Sequence, residues 1–241
     1  MIAIISATED EVSGLINTLT NKQISTTSSI KYIEGLFLNI DVVVTISGVG
    51  IRKARNCTNN LIKKYKPTTI ISAGFAGALN PKLELGEIVI PDWVLSLKNQ
   101  EKIQFNNNFP YIAYKYINGG VLTESSFVNA KEKKLDLYVK SGADIVDMET
   151  WAIADAARKL DTSVISVRCV SDLTNQHLPR MEQIFNKESK FDTKKAFGYF
   201  KSNPGEIFNF LRFKYINLRK AGIRLNSFLY LLIPVVNTIE Y

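Results

Sequence analysis

Short apolar, β-branched runs alternate with stretches of helical spacing over the first 170 residues, and this pattern limits the fold more than any other feature. Residues 1–6 read as a strand and 9–19 as a helix. Two apolar runs, 32–40 and 42–46, predict a hairpin turning near Asn39-Ile40-Asp41. A helix is expected over 52–65, closed by Lys66-Pro67, and a strand over 68–73. A further short strand is expected over 87–91, and residues 97–118, polar and weakly periodic, read as a variable loop. Then come a helix over 128–139, a strand over 143–146, a helix over 148–160 and a buried strand over 163–170. Such alternation predicts a mainly parallel sheet covered by helices, a three-layer α/β domain.

At 241 residues and 46% hydrophobic, the chain can bury a sizeable core. Cys57 and Cys169 lie in helix-like and strand-like runs and form no disulfide framework. The single histidine, His177, and the cysteine spacing offer no zinc pattern, so no metal or cofactor is expected. The first residues lack the basic flank of a signal peptide, and no run reaches the roughly 18–20 apolar residues of a membrane span. A cytoplasmic protein is expected. Residues 180–241 carry 11 Lys and Arg against 5 Asp and Glu, so most of the net +7 resides in this tail. A near-neutral body and no recognised motif argue against nucleic-acid binding.

Three acidic segments stand where apolar runs end: Glu9-Asp10-Glu11, Asp147-Met148-Glu149 and Ser171-Asp172. Strand ends of open α/β sheets line ligand crevices, and carboxylates gathered there can divide into acid, base and sugar-binding roles. Each is also an ordinary helix N-terminal acid if taken alone. Gly48-Val49-Gly50 and Gly74-Phe75-Ala76-Gly77 follow β-rich runs, where glycine allows the backbone to approach a ligand. Neither matches a dinucleotide or P-loop pattern.

In order, residues 4–12, 47–50, 72–78, 85–89, 146–149 and 168–172 resemble the purine nucleoside phosphorylase and nucleosidase superfamily. The nearest branch is the methylthioadenosine/S-adenosylhomocysteine nucleosidase type. That resemblance implies an αβα sandwich around a mixed, partly closed central sheet in residues 1–180. It implies cleavage of a purine N-glycosidic bond. It makes Asp172 the general acid on the leaving base and Glu11 the carboxylate that activates water. Met148 and Glu149, beside Asp147, correspond to the ribose clamp. Phe127 and Val128 correspond to the base-binding pair, and Ala7, Val49, Phe75, Ala76 and Gly77 to pocket-lining positions. A homodimer acting on a small-molecule purine nucleoside is the matching expectation.

Two departures from the resemblance bear on substrate. Ser72 and Phe75 stand where phosphorylases hold phosphate, and a phenyl ring donates no hydrogen bond, so hydrolysis is favoured over phosphorolysis. Residues 181–241 form a basic helical extension. Within it Phe208, Leu211, Tyr215, Leu218, Gly222, Leu225, Leu229 and Leu232 recur at helical spacing among five cations, up to Pro234. Residues 204–233 could lie at the inner membrane surface or pack on the body or a second subunit. The extension also resembles hopanoid-associated nucleosidase-like proteins, which implies a lipid-linked adenosine as one substrate. Methylthioadenosine or S-adenosylhomocysteine is the other reading, and a phosphorylase or a non-catalytic purine-binding protein on the same fold are the alternatives.

Overall fold

The computed structural model describes residues 1–107, 109–180, 183–184 and 193–238. At its centre lie four parallel strands: β1 (Ile2–Ser6), β4 (Ile40–Ile46), β5 (Thr69–Ala78) and β10 (Ser163–Asp172). Every residue of β1 is buried, as expected for a strand covered on both faces. The sheet also contains β2 (Thr20–Thr27), β3 (Ile30–Phe37), β6 (Ile88–Ser96), β7 (Glu101–Gln104), β8 (Tyr116–Thr123) and β9 (Ile145–Asp147). Its order is β10-β6-β8-β9-β5-β1-β4-β3-β2, with β7 on β6. Because β10 also pairs with β5, the strands β5, β10, β6, β8 and β9 close on themselves. The sheet is therefore mixed and partly closed.

Helices cover both faces. On one side α2 (Ile51–Tyr65) and α4 (Thr150–Arg158) bury Ala54, Leu61, Ala152 and Ile153 against Ile5, Val43 and Ile70. On the other, α1 (Glu9–Thr18) and α7 (Leu218–Asn237) bury Val12, Leu15, Leu225, Phe228, Leu229 and Leu232 against Ile4, Ile71 and Val167. Between them in sequence lie α3 (Lys131–Ser141), α5 (Thr193–Ser202), α6 (Glu206–Arg212) and a π-helical turn, Phe213–Asn217.

Several local expectations change. Within the loop expected over 97–118, residues 101–104 form a strand and 116–118 begin another; β7 has no periodicity of its own and is fixed by antiparallel pairing to β6. The polar segment Thr20–Thr27 extends the hairpin as an edge strand, where polar side chains face water. Pro234 does not end α7, which runs to Asn237; so near the C-terminus the missing amide removes only one late hydrogen bond.

The tail stripe is half right. Gly222, Leu225, Leu229 and Leu232 are buried, but Phe208, Leu211 and Tyr215 are exposed. The buried stripe instead begins Phe210, Phe213, Asn217, Ala221. Five large apolar side chains of α7 (Leu225, Phe228, Leu229, Leu232 and Ile233) are sealed against the body. At about 1.5–3 kcal/mol each, that burial holds this face on the protein rather than on a lipid surface. Among the described residues no helix is long and apolar enough to cross a membrane.

Candidate active site

The C-terminal ends of β1, β4, β5, β9 and β10 meet at one edge of the sheet, and the acidic segments follow from them. Ser47 and Gly48 amides donate to the Ser6 and Ala7 carbonyls, which brings the Gly48–Gly50 turn beside the turn that holds Ala7. Glu11 lies in the first turn of α1. Its Oε2 accepts from Ser6 Oγ at 2.7 Å and from the Thr8 amide at 2.7 Å; its Oε1 accepts from the Phe75 amide at 2.9 Å. A carboxylate has about four acceptor positions, so one remains for a water molecule. Glu11 is only 6% exposed.

Glu149 stands at the N-cap position of α4 and accepts from the Gly50 amide at 2.6 Å, within reach of the Glu11 charge. Burial, followed by the neighbouring Asp147 charge, pushes its carboxyl up to about 8. Gly50, at φ +106°, presents that amide from a conformation L side chains rarely adopt.

Asp147 is committed to protein donors. Thr123 Oγ1 reaches Oδ1 at 2.7 Å, and the Thr150 amide, the Thr150 hydroxyl and Arg168 Nε reach Oδ2. Arg168, 2% exposed, also donates to the Ser72 carbonyl and hydroxyl and to Thr150 Oγ1. This network fixes the turn that carries Met148, half-buried, and Glu149. It also seals Ser72, one of the two positions where phosphorylases would hold phosphate.

Asp172 ends β10, where a register shift after Val170 sets it opposite Gly77. It is 2% exposed. Ser171 Oγ donates to its Oδ1 at 2.8 Å, and Lys134 Nζ forms an ion pair with its Oδ2. Lys134, fully buried in α3, also donates to the Leu173 carbonyl at 2.7 Å. A Cβ on Gly77 would sit 2.9 Å from Asp172 Oδ2, and one on Gly74 would sit 3.0 Å from Glu11 Oε1. The two carboxylates thus lie against β5 at positions three residues apart, roughly 10 Å of strand. A side chain at either place would press on the carboxylate and oblige it to shift.

The remaining expected positions divide. Ala76 is buried in β5, while Ala7, Val49, Phe75 and Gly77 are half-buried at the same edge. Phe127 packs against the C-terminal cluster of Leu178, Phe210 and Phe213; Val128 points into the core around Leu79 and Leu137. His177 lies 3.1 Å from Glu206. Two cavities, about 450 and 250 Å³, lie around Tyr199 and Asn203, and neither is lined by Glu11, Glu149 or Asp172.

Sequence reasoning missed Lys134 and Arg168. Lys134 is one of four lysines or glutamates in Lys131-Glu132-Lys133-Lys134 and looks like a solvated face; its only signal is a position three before the buried Leu137. Arg168, a charge within an apolar strand run, was the more legible of the two.

The model of the phosphorylase superfamily matches residues 1–196. A 5'-methylthioadenosine/S-adenosylhomocysteine nucleosidase of Staphylococcus aureus is 31% identical over 199 residues, covering 73% of this chain and 87% of that protein. The S-adenosylhomocysteine nucleosidase structure from Streptococcus pyogenes, in complex with 5-methylthiotubericidin, superposes with a TM-score of 0.76 at 22% identity, over 99% of this chain and 97% of the other. A Helicobacter pylori futalosine hydrolase mutant superposes at 0.64 and 18% identity over 70% and 89%. The near-complete overlap with the first structure places the C-terminal helices inside the shared fold.

Proposed function

The chain belongs to the phosphorylase superfamily, and from that premise we propose that it is an N-glycosyl hydrolase releasing adenine from a 5'-substituted adenosine. The observation that carries this reading is the set of buried carboxylates, Glu11, Glu149 and Asp172, at one sheet edge, with Lys134 bonded to the third. Glu149, held by the Gly50 amide, accepts from the ribose hydroxyls, with Met148 beside it. Asp147 supports that turn, since its oxygens are already occupied.

In the reaction the C1'–N9 bond breaks and its electron pair leaves with the purine. Positive charge builds on the ribose, as in glycoside hydrolysis. Water held by Glu11 forms the new C1'–O bond and gives its proton to that carboxylate. Lys134 Nζ is held on Asp172 Oδ2, so the proton reaching purine N7 is supplied by the Asp172–Lys134 pair. One proton is taken from water and one is given to the base, and the two groups reset through solvent.

Hydrolysis rather than phosphorolysis is supported by Ser72, sealed under Arg168, and by the apolar Phe75. The nucleosidase relatives favour methylthioadenosine or S-adenosylhomocysteine as substrate. A lipid-linked adenosine is the second reading. It is favoured by the exposed outer face of residues 207–223, where Phe208, Leu211, Tyr215, Ile216 and Ile223 lie among Arg212 and Arg219 and would meet an anionic membrane. A homodimer is the assembly this reading expects.

The test is adenine release from methylthioadenosine, S-adenosylhomocysteine and a long-chain 5'-alkyl adenosine, with and without phosphate. Free ribose products in both conditions support hydrolysis, and ribose 1-phosphate would overturn it. Loss of turnover by about 10²–10⁴-fold in folded Glu11→Gln is expected; full turnover would remove Glu11 from its role.

A further inference from the structure

Two asparagines of the C-terminal helical segment grip the two chain segments that carry the opposed carboxylates. Asn226, 6% exposed on α7, accepts from the Leu15 amide with Oδ1 at 2.7 Å. Its Nδ2 donates to the Glu11 carbonyl at 2.9 Å and to the Gly222 carbonyl at 2.7 Å. Glu11 and Leu15 are an i, i+4 pair, the two groups that an α-helix ordinarily joins to each other. The amide of Asn226 therefore engages the backbone of α1 at the residue whose side chain is proposed to hold water. Gly14 makes the approach feasible: a Cβ there would lie 2.7 Å from Asn226 Cγ.

Nine residues earlier, Asn217, 2% exposed, closes the π-helical turn. Its Nδ2 donates to the Ser171 carbonyl at 3.0 Å and to Gln176 Oε1 at 2.9 Å. Ser171 is the residue before Asp172 and donates to it. Between the two asparagines, a Cβ on Gly222 would meet the Phe75 ring and the Asp10 carbonyl, each at 3.7 Å. The Phe75 amide in turn donates to Glu11. Nine residues at 3.6 per turn put Asn217 and Asn226 about half a turn apart. They stand at the two edges of the buried arc, and Ala221, Leu225 and Leu232 fill its middle. The helix lies in a cradle whose two walls are α1 and the loop after β10.

We infer that Asn217 and Asn226 are positioning residues that set the separation of Glu11 and Asp172, so that the C-terminal helix is part of the catalytic apparatus. The inference rests on the proposed function. A displacement near 1 Å at a reacting group can lower turnover by about 10²-fold, which two anchors on the backbones beside both carboxylates would prevent.

The experiment compares full-length Asn217→Ala, Asn226→Ala and Leu232→Ala. Leu232 is buried on the same helix, beyond Asn226, and serves as the control for lost packing. The expected result is a fall in kcat of at least about tenfold in each asparagine variant, with KM within about twofold, while Leu232→Ala loses thermal stability and keeps kcat. Amide hydrogen exchange is expected to quicken at residues 8–15 in Asn226→Ala and at 171–176 in Asn217→Ala, and at neither in Leu232→Ala. Should Asn226→Ala fail to fold, Asn226→Ser takes its place. Asparagine variants with wild-type kcat and unchanged exchange in both segments would overturn the inference. A wild-type protein that releases no adenine would overturn the functional reading instead, and the exchange measurement would still decide the anchoring.

Discussion

Replacing Glu149 by glutamine is expected to make the protein more stable in base and less active where the wild-type carboxyl is ionised. The Glu149 carboxyl is raised from 4.5 to about 8, chiefly by burial and next by the Asp147 charge. An unfolded chain exposes an ordinary carboxylate, which ionises near 4.5. Between pH 4.5 and 8 the folded state therefore holds a proton that the unfolded state has released, and stability falls as pH rises. The penalty is absent below 4.5 and complete above about 8. At about 1.4 kcal/mol per pH unit the penalty is on the order of 3–5 kcal/mol. The glutamine amide keeps an oxygen to accept from the Gly50 amide and cannot ionise, much like the protonated acid. Urea unfolding of both proteins at about pH 5 and about pH 9 measures the effect, and the wild type should lose about 3–5 kcal/mol more than Glu149→Gln between those conditions. Adenine release should fall roughly 10–100-fold in the variant above about pH 8, where the wild-type carboxylate makes a charged hydrogen bond to ribose. Parallel stability curves for the two proteins would refute the reasoning, because they would mean that Glu149 is ionised normally in the fold.

Further outcomes follow from the two buried ion pairs. Lys134→Met leaves Asp172 without its counter-charge and should destabilise the protein by about 3–5 kcal/mol in denaturant unfolding. Lys134→Met/Asp172→Asn should regain most of that stability while adenine release stays down by about 10²–10⁴-fold. Arg168→Met strands Asp147 and should cost about 3–5 kcal/mol as well, with a rise in KM as the turn bearing Met148 and Glu149 loosens.

The sequence alone determined the parallel centre of the sheet. β1, β4, β5 and β10 are largely apolar because both their faces are covered, and that signal is local. It also placed Glu11, Glu149 and Asp172 at strand ends, since each acid closely follows or closes such a run. β2 and β7 were not legible: polar strands at an edge owe their form to a partner's hydrogen bonds, not to their own side chains. Tertiary structure alone decided which lysine of 131–134 enters the core, because only the approach of Asp172 makes burying that charge tolerable. It decided the phase of the tail too. The π-helical turn rotates the buried stripe, and the buried asparagines find their partners across more than 40 residues in one case and more than 200 in the other, distances over which no periodicity carries information.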